Sequence, residues 1–290
     1  MKCKYQSLLR LVVTWFALLP TAYAHNLLWI NVVPEFDRQV VSSLGYGDSM
    51  SSGSELLTPS WWPITISAYD VIDPNGLRSP LGLITPKPQA TQTLASGIQF
   101  QPESDTGRRK FILGKHALKG TYQVYASTHV TRVLVYQDKK GDTVYLNTAI
   151  DSLPKGSNVT GEGYNILLCK AVFTHQQWSE PAPLGMPLEI MPLTDLSQAG
   201  SGDLVRFKVL KNGDVFLNEA HLLAYNASYG DKWGMISPLV NGIGEFRIPN
   251  AGPWRISIGY EGKSSDFNAY KEMKDILMVM ESTLVFNIKP

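Results

Sequence analysis

Short runs in which apolar and polar residues alternate recur along this chain, separated by clusters of Gly, Pro, Asn and Asp, and long windows with a helical period are missing. The pattern predicts β structure throughout. Leu27 to Val33 is the first predicted strand. Pro63 to Tyr69 sets Ile64, Ile66 and Ala68 against Thr65, Ser67 and Tyr69, and the Asp73-Pro74-Asn75-Gly76 turn closes it. Tyr122 to Val130 puts Tyr122, Val124, Ala126, Thr128 and Val130 on one face and Gln123, Tyr125, Ser127 and His129 on the other. Arg132 to Tyr136 and Thr143 to Leu146 flank Asp138-Lys139-Lys140-Gly141-Asp142, a charged hairpin tip. Gly163 to Phe173 reads equally as a helix or a strand.

Near residue 180 the pattern breaks. Glu180 to Pro187 packs three prolines and a glycine into eight residues, which stiffens a linker and prevents a central strand. Beyond it lie Leu204 to Leu210, the hairpin dipeptide Asn212-Gly213, Glu219 to Tyr225, Gly244 to Pro249, Trp254 to Tyr260 and a last strand, Ser282 to Ile288. Asp266 to Met280 has room for one or two helical turns. Short strands at these intervals predict an all-β fold of two β-sandwich domains, immunoglobulin-like or transthyretin-like, with the seam at the prolines: residues 25–180 and 181–290.

Residues 1–24 carry a different pattern. Lys2, Lys4 and Arg10 precede an apolar run from Leu11 to Leu19, Pro20 breaks it, and Ala22-Tyr23-Ala24 has small-x-small spacing, so the segment reads as a cleaved signal peptide. The run is too short to persist as a membrane span. The whole chain of 290 residues is near neutral, with 26 Lys and Arg against 25 Asp and Glu. Cleavage after Ala24 removes three cations and no anion, leaving 266 residues with a formal charge of −2. That balance lacks the basic field of a nucleic-acid binder. Of the two cysteines, Cys3 leaves with the signal, and Cys169 alone forms no internal disulfide.

Cleavage also makes His25 the first residue. Its free α-amino group and imidazole can chelate one ion, because an amine of ordinary pKa near 8 gives up its proton to a transition metal.

Several segments together resemble a bacterial family. These are Ala24-His25-Asn26-Leu27-Leu28-Trp29-Ile30, Ser43-Leu44-Gly45-Tyr46-Gly47-Asp48, the run Pro183 to Asp195, Gly202-Asp203-Leu204, and Phe246 to Trp254. The family is an exported domain of unknown function grouped with periplasmic components of nickel and cobalt transport, and the resemblance spans nearly the whole mature chain. It implies a periplasmic β-sandwich protein that handles a divalent transition metal, nickel or cobalt first and copper next, beside an inner-membrane metal permease. This chain departs from the family pattern at two places. Asp48 follows the Gly-aromatic-Gly where the family tends to have His, and Met186 stands where a His is usual; carboxylate is a harder ligand than imidazole, and thioether suits softer ions such as Cu(I). The expected metal set is His25, Asp48 and His129, with Glu55 brought near by the Gly45 to Gly53 loop.

The remaining histidines read otherwise: His116 in a surface turn, His175 packed beside Trp178 at the seam, His221 pointing outward between Ala220 and Leu222. No two histidines share one side of an element at ligand spacing. Phosphate-binding loops, dinucleotide fingerprints and nucleophile elbows are absent, and Cys169 with His175 reads as a buried thiol near a loop imidazole, so no enzyme is expected. Two other readings stand behind the metal-binding one. The first is an interaction module that contacts a protein or glycan without metal. The second is a copper histidine-brace protein or oxidase, with Trp61-Trp62 offering an aromatic ring. The sequons at Asn158 and Asn226 read as chance.

Overall fold

A computed structural model describes residues 27–35, 38–47, 50, 65–84, 92–100, 107–141, 143–146, 155–229, 233–273 and 276–289. His25, Asp48, Glu55, Trp61 and Trp62 lie outside the described residues.

The described residues of the first half form β1 (Leu27–Pro34), β2 (Gln39–Gly47), β3 (Ile66–Ile72), β4 (Arg78–Pro80), β5 (Gln92–Thr93), β6 (Gln99–Phe100), β7 (Arg108–Ile112), β8 (Gly120–Thr128), β9 (Thr131–Gln137), β10 (Thr143–Leu146) and β11 (Asn158–His175). The second half adds β12 (Leu188–Pro192), β13 (Leu204–Lys211), β14 (Asp214–Val215), β15 (His221–Asn226), β16 (Met235–Pro238), β17 (Ile243–Arg247), β18 (Gly252–Lys263) and β19 (Leu277–Ile288). The protein is an all-β sandwich.

One ten-stranded sheet organises it, in the order β16-β15-β18-β19-β11-β8-β3-β4, with β9 joined to β11 and β10 to β9. Its centre is a parallel pair, β11 and β19, in register from Gly163 opposite Leu277 to Ala171 opposite Val285. Strands on either side of the proline segment therefore share one sheet. A three-stranded sheet, β1-β2-β7, covers one face, and a four-stranded sheet of β12, β13, β14 and β17 covers the other.

Each face closes its own core. Toward the three-stranded sheet, Tyr122, Val124 and Ala126 of β8 and Leu167, Cys169, Ala171 and Phe173 of β11 meet Leu28, Ile30, Val40 and Leu44. Toward the four-stranded sheet, Ile166, Leu168, Leu284 and Phe286 meet Ile190, Val205, Phe207 and Phe246.

This layering explains where sequence pattern and structure part. Gly163 to Phe173 is strand, because β11 is buried on both faces and an apolar run without alternation is what such a strand needs. Of the polar face read on Tyr122 to Val130, Gln123, Tyr125 and Ser127 are buried as well, and His129, past the end of β8, is exposed. The predicted helical turns at Asp266 to Met280 shrink to a 3-10 turn at Ser264–Asp266 and the turns after it, and the run from Met278 onward belongs to β19. Gly45 and Gly47 are strand residues of β2 rather than the start of a loop, and Gly45 makes room for the Trp29 indole, whose ring a Cβ there would overlap. The Asn212-Gly213 turn joins Lys211 to Asp214 as predicted, and the charged tip joins Gln137 to Thr143.

Candidate functional site

The strand registers gather four strand ends at one end of the sandwich. Leu27, the first described residue of β1, pairs with Gly47, the last of β2. On the facing sheet, Thr283 Oγ1 donates 2.7 Å to the Leu28 carbonyl, Thr283 pairs with Cys169, and Cys169 pairs with Ala126. Strand β8 runs two residues past that level to Thr128, which pairs with Ile66 at the start of β3. His129 follows, donating its amide N–H to the Thr65 carbonyl at 2.8 Å. Its imidazole is exposed, beyond the strand that buries every residue before it. The beginnings of β1 and β3 and the ends of β2 and β8 thus share one end of the β1-β2-β7 layer. Asp48 is bonded to one of these ends, and His25 lies two residues before another.

Among the described residues no three His, Cys, Asp or Glu side chains converge as a metal-holding group. His116 and His221 are exposed. His175 is part-buried, with its ring edge-on to Tyr122 at 6.4 Å. Cys169 and His175 occupy one strand six residues apart, roughly 20 Å along it, too far for a thiol-imidazole pair. The Cys169 thiol is fully buried, hydrogen-bonds the Ala126 carbonyl and is pushed well above its usual pKa by burial, which keeps it protonated. Met186 is 3% exposed and belongs to the second core, so its thioether is turned away from solvent. Of the two sequons, Asn158 is exposed, whereas the Asn226 side chain is buried and accepts the Ser228 N–H.

Sequence reasoning missed a buried ion pair. Lys170 of β11 and Glu189 of β12 meet at 2.7 Å with both side chains 1% exposed. Lys170 Nζ also donates to Met191 Sδ at 3.2 Å, and burial lowers its pKa against the opposing pull of Glu189. Glu189 accepts the Leu184 N–H at 2.9 Å and 3.0 Å and the Met186 N–H at 3.4 Å. The signal was a single charge of opposite sign inside each of two apolar runs, Ile166 to Phe173 and Leu188 to Leu193.

Fold and site together define an all-β sandwich protein in which four strand ends meet at one end of a layer and, among the described residues, no metal-holding group of three side chains is assembled. The chain belongs to the family described as Domain of unknown function (DUF4198), whose model matches residues 22–262. No curated protein matches it. Among solved structures, the FN1–FN3 domains of chicken CNTN1 are similar at 11% identity over 92% of this chain and 69% of that one, with a TM-score of 0.22. Among the described residues no helix is long and apolar enough to cross a membrane.

Proposed function

We propose that the mature protein, exported to the periplasm by cleavage after Ala24, binds a divalent transition metal as cargo and delivers it to an inner-membrane permease. Nickel or cobalt is the first choice and copper the second. The His25 amine and imidazole chelate the ion, and Asp48 and His129 complete the set. One observation carries the reading: the register brings the start of β1, the end of β2 and the exposed His129 to the same end of the layer. Among the described residues, the hydrogen bonds of His129 are main-chain ones, which leaves its imidazole available to an ion. No catalytic step is part of this reading.

The test is titration of nickel, cobalt and copper into the mature protein, beside a version carrying one extra residue ahead of His25 and beside His129→Ala. A secondary amide at His25 removes one chelate ring, so the extended protein is expected to bind about tenfold more weakly or worse. Equal affinity of native and extended proteins overturns the reading, as does mass spectrometry showing an exported chain that begins elsewhere.

A second reading, a metal-free interaction module, has one observation behind it. At the β16 edge of the large sheet, Leu223 and Ile236 sit opposite each other and are 37% and 63% exposed, with Val240 nearby at 66%. Exposed apolar side chains along an open edge favour contact with another chain.

A further inference from the structure

Residues 176–187 carry the chain from β11, in the large sheet, to β12, in the four-stranded sheet. Pro181, Pro183 and Pro187 have no N–H to donate, so the stretch cannot enter a ladder. Side chains of the large sheet hold it instead. Thr121 and Ser179 exchange bonds, each backbone N–H donating to the other's hydroxyl, at 2.9 Å and 3.3 Å. Gln123 Nε2 donates to the Ala182 carbonyl and Arg78 Nη2 to the Leu184 carbonyl, both at 2.8 Å. At the far end the N–H groups of Leu184 and Met186 point at the Glu189 carboxylate that also receives Lys170.

We propose that residues 179–187 form a latched strap, a segment that opens as a unit and draws Met186 out of the second core while the strands of both cores stay paired, with Lys170–Glu189 as its latch. Three donors converge on one carboxylate. Closure supplies two of them, so the strap stabilises the buried charge and the charge holds the strap. The strap buries Pro181 and Met186 and packs Leu184 partly against the second core, while Ala182, Pro183 and Gly185 are exposed, so its apolar burial is confined to three side chains. Segments with few buried contacts and side-chain fastenings open well below the global unfolding free energy. The closed state also leaves Gln123 Oε1 buried without a hydrogen-bond partner among the described residues, an acceptor that water reaches on opening and that lowers the cost of doing so. Opening gives solvent a route to Gln123 and Lys170, which are otherwise 2% and 1% exposed.

Native-state hydrogen exchange of the full chain, read by mass spectrometry over a series of low denaturant concentrations, tests this. Peptides covering Leu184 and Met186 are expected to exchange through an opening with little denaturant dependence, while those from β18 and β19 follow global unfolding. Arg78→Ala removes one charge-assisted bond to the strap and is expected to speed exchange of residues 179–187 roughly tenfold with β19 unchanged. Glu189→Gln is expected to do more, because its amide nitrogen is a donor that must face either Lys170 or the Leu184 N–H. Should Glu189→Gln fail to fold, Arg78→Ala and the wild-type series still decide. The proposal falls if strap amides share the denaturant dependence of β19, if Arg78→Ala accelerates strap and β19 alike, or if it accelerates neither.

Discussion

Two side chains show how tightly single residues are constrained in this sandwich. Gly45 is the surface on which the Trp29 indole rests, and a methyl group there would overlap three ring atoms. Trp29 is 3% exposed, so the ring cannot swing out to solvent without giving up its burial. Gly45→Ala is therefore expected to destabilise by about 1–3 kcal/mol, the range for forced overpacking, measured as a lower denaturation midpoint. An unchanged midpoint would mean that the indole moves at no cost. Tyr270 is constrained electrostatically. Burial, with the Tyr125 phenol adding, pushes its pKa up to about 12, and burial raises Tyr122 and Tyr125 as well. A folded-state pKa above the unfolded one means that the fold keeps the proton longer. The contribution of Tyr270 is thus fully present below the ordinary value near 10 and is lost as pH rises through about 12. Stability is expected to fall across that window, with phenolate absorbance extending past the ordinary tyrosine range and Tyr270→Phe trimming its late part. A titration complete near 10 in both proteins would refute this.

At the level of elements, what the sequence made legible was anything half-buried or punctuated. The hairpin at Asp138 to Asp142, the Asn212-Gly213 turn and the Asp73 turn, where the Asp73 carboxylate accepts the Asn75 and Leu77 N–H groups at 2.9 Å, were all readable from turn chemistry. Illegible were the strands with two covered faces. β8 is buried at every position, so the polar side chains of Gln123 and Ser127 pointed to a solvent face that the fold covers. β11 lost its alternation for the same reason and read as either element. The strap was legible as a chain that cannot pair, but Lys170 and Glu189 lie nineteen residues apart, and nothing local announces that they meet. Of the candidate site, the sequence placed His129 on the polar face of its strand, whereas its alignment with the start of β1 depends on pairings through β19 and β11 that span most of the chain.

For the whole molecule, the shared sheet is decisive. Strands β8, β11 and β19 contribute residues to both cores: Val124, Cys169 and Val285 on one side, Tyr125, Leu168 and Leu284 on the other. Neither core can lose these strands without exposing the other. Apart from local opening of the strap, denaturant unfolding is expected to be one transition, in which the environments of Trp29 in the first core and Trp254 in the second change together. Two separated midpoints, read from variants that retain one of these tryptophans each, would show independent units instead. The central position of β19 has a kinetic side too. It pairs with β11 more than a hundred residues earlier, and through Thr283 it holds Leu28, 255 residues away. Loops of that length close slowly, and neither core has its middle strand until residues 277–288 are present. During synthesis the strands before β19 emerge without these twelve residues, and a chain cut short ahead of Leu277 lacks the keystone of its sheet.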